Sequence, residues 1–223
     1  MKLIEGLAII LTASCSAYAV ADSTQNNVNT EQFVRYHYQD KNNYGKLVKG
    51  AIFPINGDIF SKYSIEKTSI PLESVELLLP TEPEKVFAVG MNYVSHAASH
   101  PDLPPPLFLK LPSSLILSGE TIHAPFDAQN VHFEGELVVV IGKEISKVSQ
   151  EEAEDAIFGV TVGNDITERS WQNSDLQWLR AKASDGFGPI GHTIVKGIDY
   201  NNVELTTRVN GDIVQQENTS FMI

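Results

Sequence analysis

Short apolar and β-branched segments, separated by turn-forming residues, run through the chain from residue 33 to residue 79. They occupy residues 33–36, 47–48, 51–53 and 75–79. Asn56, Gly57 and Asp58 lie between two of them, and such Asn, Gly and Asp clusters favour tight β-turns. The pattern predicts a small β-rich N-terminal domain over residues 33–79.

A second domain is predicted over residues 80–223, beginning with a linker at 80–85 in which two prolines lie among charged residues. Its strand-like apolar runs occupy residues 86–89, 107–110, 133–141 and 157–162. The runs at 86–89 and 157–162 have the continuous apolar character of buried strands. A helix start is indicated where Ser149 can cap the backbone and Glu152 can bond back to it. Strands outnumber helices in this pattern, so we expect a mixed β fold of the β-rich α+β class.

The composition is that of an ordinary globular protein with an acidic balance. Of 223 residues, 42% are hydrophobic and 20% are charged, which is sufficient for a core. Lys and Arg number 16 against 28 Asp and Glu, giving a net charge of -12. Such a field repels phosphate backbones, so nucleic acid is not an expected partner. It also repels an anionic substrate, so a site for an organic acid requires a local cation or metal ion.

The first 19 residues are typical of a secretory signal peptide. Lys2 precedes a short apolar run at 6–11, and the sequence Ala17-Tyr18-Ala19 fits cleavage after Ala19. The run is too short to span a bilayer as a helix, so no integral membrane segment is expected in the mature chain. We therefore expect an exported, periplasmic protein with a flexible lead-in at 20–32. The alternatives are a buried N-terminal helix, a lipid anchor on Cys15 and a cytoplasmic location.

Cys15 is the only cysteine of the chain. A chain cleaved after Ala19 would therefore contain no cysteine. Such a chain can form no disulfide and cannot use a thiol in catalysis.

Three carboxylates form the candidate metal site. Glu134 and Glu136 lie two residues apart at the start of a predicted strand, so they share a face with backbones roughly 7 Å apart. Asp165 follows a later strand and would join them if the two strands were neighbours. Oxygen ligands favour magnesium, manganese or calcium over zinc. The alternative is a solvated pair of glutamates, although the apolar run at 137–141 argues against it.

Six stretches of the second domain have a distinctive order and spacing. They are VGMNYVSHA at 89–97, FLK at 108–110, FEGEL at 133–137, IGK at 141–143, GNDITER at 163–169 and KASDGFGPIG at 182–191. Together they resemble the fumarylacetoacetate hydrolase family. The resemblance implies a β-roll or β-sandwich core of mixed sheets behind a small N-terminal domain, usually in a homodimer. It also implies Mg2+ or Mn2+ on Glu134, Glu136 and Asp165, with Ca2+ as a third option.

Members of that family cleave carbon–carbon bonds in diketo acids, decarboxylate oxo acids or isomerise unsaturated hydroxy acids of aromatic breakdown. In each case a metal ion polarises a carbonyl and stabilises an enolate. The resemblance therefore implies a metal-dependent hydrolase, lyase or isomerase acting on a small oxo or hydroxy dicarboxylic acid. Lys182 matches the family's motif lysine and would stabilise the substrate carboxylate or enolate, with Lys110 nearby in the same role. The alternative for Lys182 is a surface lysine at a helix end.

His96 is the candidate general base, because an imidazole titrates near neutral pH. The family often pairs this histidine with a glutamate three positions later, where this chain has Ser99. That difference weakens the case for hydrolysis and favours decarboxylation or isomerisation. Asn92 and Tyr93 are expected to shape the substrate-binding loop, and Gln172 is expected to bind the ligand. The alternative for His96 is a packing role in a surface loop.

A further departure is at the end of the chain. Family members continue beyond the stretch that matches residues 209–212 and 219–223, whereas this sequence ends at Ile223. The expectation is an incomplete catalytic domain. Two other kinds of protein therefore stay open, namely an inactive exported protein that binds metal and organic acids, or a non-functional fragment. A plain structural domain with a solvated glutamate pair is the third.

Overall fold

The computed structural model describes residues 30–97 and 106–223. The predicted signal peptide, Cys15 and Ser99 lie outside these residues. The first strand begins at Glu31, so residues 31 and 32 of the predicted lead-in belong to the sheet. Within the described residues, no helix is both long and apolar enough to cross a membrane.

Strands dominate the described residues, as the sequence pattern predicts. The first nine are β1 (Glu31–Tyr38), β2 (Lys41–Val48), β3 (Ala51–Gly57), β4 (Tyr63–Ile65), β5 (Ile70–Pro71), β6 (Glu76–Leu77), β7 (Val86–Val89), β8 (Leu107–Lys110) and β9 (Leu115–Leu117). The others are β10 (Val131–His132), β11 (Gly135–Ile141), β12 (Ile157–Asn164), β13 (Thr167–Glu168), β14 (Gly188–Ile190), β15 (Thr193–Lys196), β16 (Glu204–Val209) and β17 (Asp212–Asn218). The helices are short: α1 (Val94–Ala97), α2 (Gln150–Glu154), α3 (Arg169–Ser174) and α4 (Leu179–Ala183). The expected mixed β class is confirmed.

Eleven of the described strands form one sheet. Its main path runs β4-β3-β2-β1-β15-β12-β14-β9, while β11 pairs with β12, β5 with β3 and β6 with β1. The β14–β9 pair is parallel, and the other pairs are antiparallel. Three further two-stranded sheets are β7–β8, β10–β13 and β16–β17. Because β1 pairs with β15, the N-terminal strands and those of the second predicted domain share this sheet.

Strand β1 is covered on both faces, because successive side chains of a strand point in opposite directions. Phe33 packs on one face in an apolar cluster with Val140, Phe158 and Ile194, among others. Val34 and Tyr36 pack on the other face against Ile52. The residues at 33–36 are accordingly all buried.

The β7–β8 pair departs from one expectation. The apolar run at 86–89 does form a strand, but Phe87 is 66% exposed, and Leu107 on the facing strand is 69% exposed. Ala88 and Phe108 alternate with them and lie on the less exposed face. The prediction of a buried strand is therefore wrong for one face of β7 among the described residues. The predicted capping box is confirmed, since Ser149 and Glu152 bond reciprocally at the start of α2.

Candidate active site

Two neighbouring strand ends bring Glu134 and Asp165 together. Strands β11 and β12 are antiparallel, with Gly135 opposite Asn164, so Glu134 just before β11 faces Asp165 just after β12. The backbone N–H of Asp165 donates to the Glu134 carbonyl at 2.8 Å. The Asn164 side-chain oxygen accepts from the Glu134 N–H at 2.9 Å. The two strands are therefore neighbours, which is the condition that the sequence set for a carboxylate cluster.

The β16–β17 hairpin lies directly against the residue between the two glutamates. The Gln215 side-chain oxygen accepts a hydrogen bond from the Gly135 N–H at 2.8 Å. A Cβ atom on Gly135 would lie only 1.9 Å from the Thr207 hydroxyl oxygen. Glycine therefore permits the hairpin to approach closely the backbone between the two glutamates.

Two buried lysines supply the positive charge of the site. The Lys182 ammonium donates to Glu134 Oε2 at 2.7 Å and to Asp165 Oδ2 at 2.6 Å, and Lys182 is 3% exposed. Lys110 Nζ lies 2.6 Å from Asp165 Oδ1 and donates to the Phe187 carbonyl at 2.8 Å. It also donates to the Lys182 carbonyl. Burial lowers the pKa of Lys110, while Asp165 acts in the opposite direction. Lys182 is therefore no surface residue.

Helix α3 adds a third cation. The Arg169 guanidinium forms an ion pair with Glu134 Oε1, and it donates to the Gln172 side-chain oxygen at 2.8 Å. Glu134 and Asp165 together therefore contact Arg169, Lys182 and Lys110. Gln172 reaches this group through Arg169. Glu168, next to Arg169, is fully buried and caps α3 by accepting from the Trp171 N–H.

Glu136 differs from its two neighbours. Among the described residues, no Lys, Arg or His side chain forms an ion pair with it. Burial, together with the charges of Glu134 and Asp165, raises the pKa of Glu136 to about 7, although Lys182 acts to lower it. Burial, Glu136 and Glu217 also raise the pKa of Tyr93, whose buried hydroxyl has no hydrogen-bond partner among the described residues.

The donor chemistry of this cluster fits a hard divalent cation, although the side chains are not yet arranged around one. Within residues 30–97 and 106–223, no three His, Cys, Asp or Glu side chains form a group ready to hold a metal. The Lys182 ammonium lies between Glu134 and Asp165, within 2.7 Å of an oxygen of each. Asp165 Oδ1 is buried and, despite its contact with Lys110, has no aligned hydrogen-bond donor among the described residues. The oxygen ligands that these three carboxylates offer suit Mg2+ or Mn2+.

The remaining candidates lie on α1 and the residues before it. His96 is exposed, and its backbone N–H donates to the Tyr93 carbonyl at 2.9 Å. Asn92 is half-buried, and its carbonyl accepts from the Ile223 N–H at 2.9 Å. A bridge between Tyr93 and Met222 continues this contact. The catalytic role of His96 and the substrate-binding role of Asn92 stay predictions.

Two residues at the cluster, Arg169 and Gln215, were not singled out from the sequence, and Tyr93 was given a different role. Arg169 lies inside the family-like stretch 163–169, and its cationic side chain near Asp165 was a usable signal. Tyr93 was assigned only to shaping a loop, whereas its hydroxyl is buried near Glu136. Gln215 lies in a polar strand with no distinguishing signal, because its contact depends on how the hairpin docks.

Fold and site together define a β-rich protein in which buried carboxylates lie among ammonium groups, an arrangement suited to stabilising oxygen anions. The chain belongs to the fumarylacetoacetate hydrolase family. Residues 85–223, more than half of the chain, match the family model described as fumarylacetoacetate (FAA) hydrolase C-terminal. Residues 32–80 match a second model, described as Rv2993c-like, N-terminal.

Relatives support the same family. Protein Rv2993c of Mycobacterium tuberculosis is 44% identical over 161 residues, which cover 70% of this chain and 61% of that protein. The mitochondrial oxaloacetate tautomerase fahd2 of Xenopus laevis is 39% identical over 160 residues, covering 67% of this chain and 50% of that protein. The chain thus spans about half to three fifths of these two relatives.

One solved structure is matched over a larger share of its own length than these two relatives are. The crystal structure of 2-hydroxyhepta-2,4-diene-1,7-dioate isomerase from Mycobacterium marinum superposes with a TM-score of 0.79 at 36% sequence identity. The match covers 86% of this chain and 77% of that chain. The fold of the described residues is therefore the fold of this family.

Proposed function

We propose that this chain is a divalent-metal-dependent enzyme that isomerises or tautomerises a small oxo or hydroxy dicarboxylic acid through an enolate. The observation that carries the proposal is the juxtaposition of Glu134 and Asp165 with two buried ammonium groups, those of Lys182 and Lys110. Burying so many charges is costly unless they are paired, and such clusters concentrate at sites with a function. The net charge of -12 strengthens the argument, because an anionic substrate needs local cations.

Glu134, Glu136 and Asp165 would hold the metal ion, Mg2+ or Mn2+, with Ca2+ as a third option. When bound, the ion supplies a Lewis acid that polarises a substrate carbonyl. Lys182 would present its ammonium to the oxygen on which negative charge develops, because its Nζ lies 2.7 Å from Glu134 Oε2 and 2.6 Å from Asp165 Oδ2. Lys110 pairs with Asp165 and orders the backbone of residues 182 and 187.

The names of two relatives and the residue at position 99 favour one type of reaction. The Xenopus protein is named an oxaloacetate tautomerase, and the Mycobacterium marinum structure is titled a dienedioate isomerase. Both names describe movement of a proton along an enol system. Hydrolysis additionally needs an activated water, and Ser99 replaces the carboxylate that would orient His96. We therefore place isomerisation or tautomerisation ahead of decarboxylation and carbon–carbon hydrolysis.

The test is turnover of oxaloacetate by the purified protein with Mg2+ or Mn2+, following the enol and keto forms and pyruvate separately. Acylpyruvate is assayed in parallel for hydrolysis. A Glu134→Ala/Glu136→Ala double variant is expected to lose metal-dependent activity. A Glu151→Ala/Glu154→Ala variant, which changes two exposed acids of α2, is expected to keep it. Pyruvate as the sole product would show a decarboxylase, and no turnover with metal bound would show a binding protein.

Export to the periplasm and assembly as a homodimer remain proposals of the same kind. N-terminal sequencing of protein recovered from the periplasm is expected to give a first residue of Val20. Light scattering on the purified mature chain is expected to give twice the monomer mass. A cytoplasmic chain that keeps residues 1–19, or a monomer, would overturn the respective proposal.

A further inference from the structure

One buried carboxylate joins two segments that lead into the site. Glu168 is fully buried. Its Oε1 accepts from the backbone N–H of Asn130 at 2.7 Å and from that of Gln129 at 3.3 Å. Its Oε2 accepts from the Trp171 N–H at 2.5 Å. A single side chain thus satisfies backbone donors both in the segment before β10 and in the first turn of α3.

Each of the two segments leads to Glu134. The first continues through β10 to Glu134 itself, and β10 pairs with β13, which contains Glu168. The second begins α3 with Arg169, whose guanidinium contacts Glu134 Oε1. The Arg169 N–H also donates to the Asn130 carbonyl at 2.9 Å, so the segments are joined by backbone as well. The Glu168 carboxylate therefore bonds to both of the segments that lead to Glu134.

The surroundings of Glu168 favour its ionised form. Burial acts to raise the pKa of Glu168, but the backbone N–H groups of Trp171, Asn130 and Gln129 outweigh it, and the pKa is lowered overall. Hydrogen bonds to an ionised acceptor are stronger than neutral ones. A helix cap alone does not require this burial, because Glu152 at α2 takes part in a capping box while exposed to solvent.

We infer that Glu168 is a positioning residue for the metal and substrate site, acting through Arg169 and the 129–134 segment to fix where the Glu134 carboxylate lies. The inference rests on the proposed function, since it takes Glu134 to be a ligand of the metal ion. Residues that hold a metal-binding side chain in place orient that side chain, and their loss typically lowers metal affinity by about 10-fold to 100-fold.

The experiment measures Mn2+ affinity by titration calorimetry on the full chain, well below the unfolding temperature. Glu168→Gln keeps the shape and removes the charge, and we expect its affinity to fall by about 10-fold. Glu152→Gln is the matched control, because it weakens the cap of another short helix, and its affinity is expected to equal that of the wild type. A folded Glu168→Gln protein with wild-type affinity would overturn the inference.

Amide hydrogen exchange separates this inference from the proposed function. In Glu168→Gln, the N–H groups of Asp165 and Arg169, which bond to the carbonyls of Glu134 and Asn130, are expected to exchange faster. In Glu152→Gln they are expected to be unchanged. If wild-type protein binds no Mn2+, the proposed function fails, while faster exchange still supports the positioning role and unchanged exchange rejects it. If Glu168→Gln does not fold, Glu168→Asp keeps the charge but reaches the two segments less well, and its Mn2+ affinity decides the question.

Discussion

Two regions of this protein are buried by opposite means. Around β1, both faces of the strand are covered by aromatic and aliphatic side chains, with Phe33 in one cluster and Val34 in the other. Around Asp165, the buried groups are charged, with Lys182 and Lys110 paired to carboxylates. Apolar burial stabilises a fold whatever ligand is present, whereas a buried ion pair often adds little net stability because desolvation of the charges offsets their attraction. The comparison separates the region that maintains the fold from the region available for chemistry.

The largest expected effect is in the apolar region. Phe33→Ala removes a fully buried ring that packs against Phe158 and Tyr63. We expect the free energy of unfolding to fall by about 3–5 kcal/mol, from lost burial and the cavity left behind. Denaturant unfolding with and without Mn2+ checks this. The loss should be equal in both conditions, and a loss that metal repairs would contradict the division between the regions.

Lys182→Met tests the charged region. Removing the ammonium leaves Glu134 and Asp165 incompletely paired, and breaking a buried pair costs about 3–5 kcal/mol, here reduced because Lys110 and Arg169 remain. A divalent cation can replace the missing charge. Mn2+ is therefore expected to raise the melting temperature of the variant more than that of the wild type.

The matched control is Lys46→Met, which breaks the half-exposed pair of Lys46 with Glu31 on β2 and β1. Such a pair is worth about 0–1 kcal/mol, so we expect little loss of stability and no added response to Mn2+. An equal rise of the melting temperature with Mn2+ in Lys46→Met and Lys182→Met would show that Mn2+ does not act at the Asp165 cluster.

Gly135→Ala tests the docking of the β16–β17 hairpin on the site. The added methyl would meet the Thr207 hydroxyl, and overpacking of this kind costs about 1–3 kcal/mol. Thr207→Ala removes that hydroxyl, so the double variant should recover part of the loss in thermal unfolding. No recovery would show that the hairpin moves aside and does not determine the position of the two glutamates.

The smallest expected effect concerns pH. The pKa of Glu168 is lowered in the folded protein, so its stabilising contribution is complete above the unfolded value, which is about 4.3 for Glu, and is lost as the pH falls through the lower folded value. The stability difference between wild type and Glu168→Gln is therefore expected to shrink from pH 7 to acid pH. Urea unfolding of both proteins at pH 7 and at acid pH measures this stability difference. A constant difference would contradict the charged state of this residue.

The sequence predicted the strands better than the charges between them. The two-residue spacing of Glu134 and Glu136, and the apolar runs behind them, predicted a carboxylate cluster, and Glu134 and Asp165 do lie side by side where β11 begins and β12 ends. The exposed face of β7 was not predicted, because a continuous apolar run does not reveal which face is covered. The buried state of Lys110 was not predicted either. Its ammonium donates to a carbonyl 72 residues away, and such pairings depend on tertiary structure that no local pattern encodes.

The pairing of β1 with β15 bears on how the chain folds during synthesis. Phe33 lies opposite Ile194, so this contact closes a loop of 161 residues (194 − 33). The hairpins β1–β2 and β2–β3 can form as soon as they leave the ribosome, and β6 can pair early with residues 36–37 of β1. Residues 31–34 have no partner on that edge until β15 has been made. Non-local pairing of this kind slows folding, and a waiting apolar edge invites association with other chains. The N-terminal strands therefore complete their sheet only after β15 has been made, although their own connections are short.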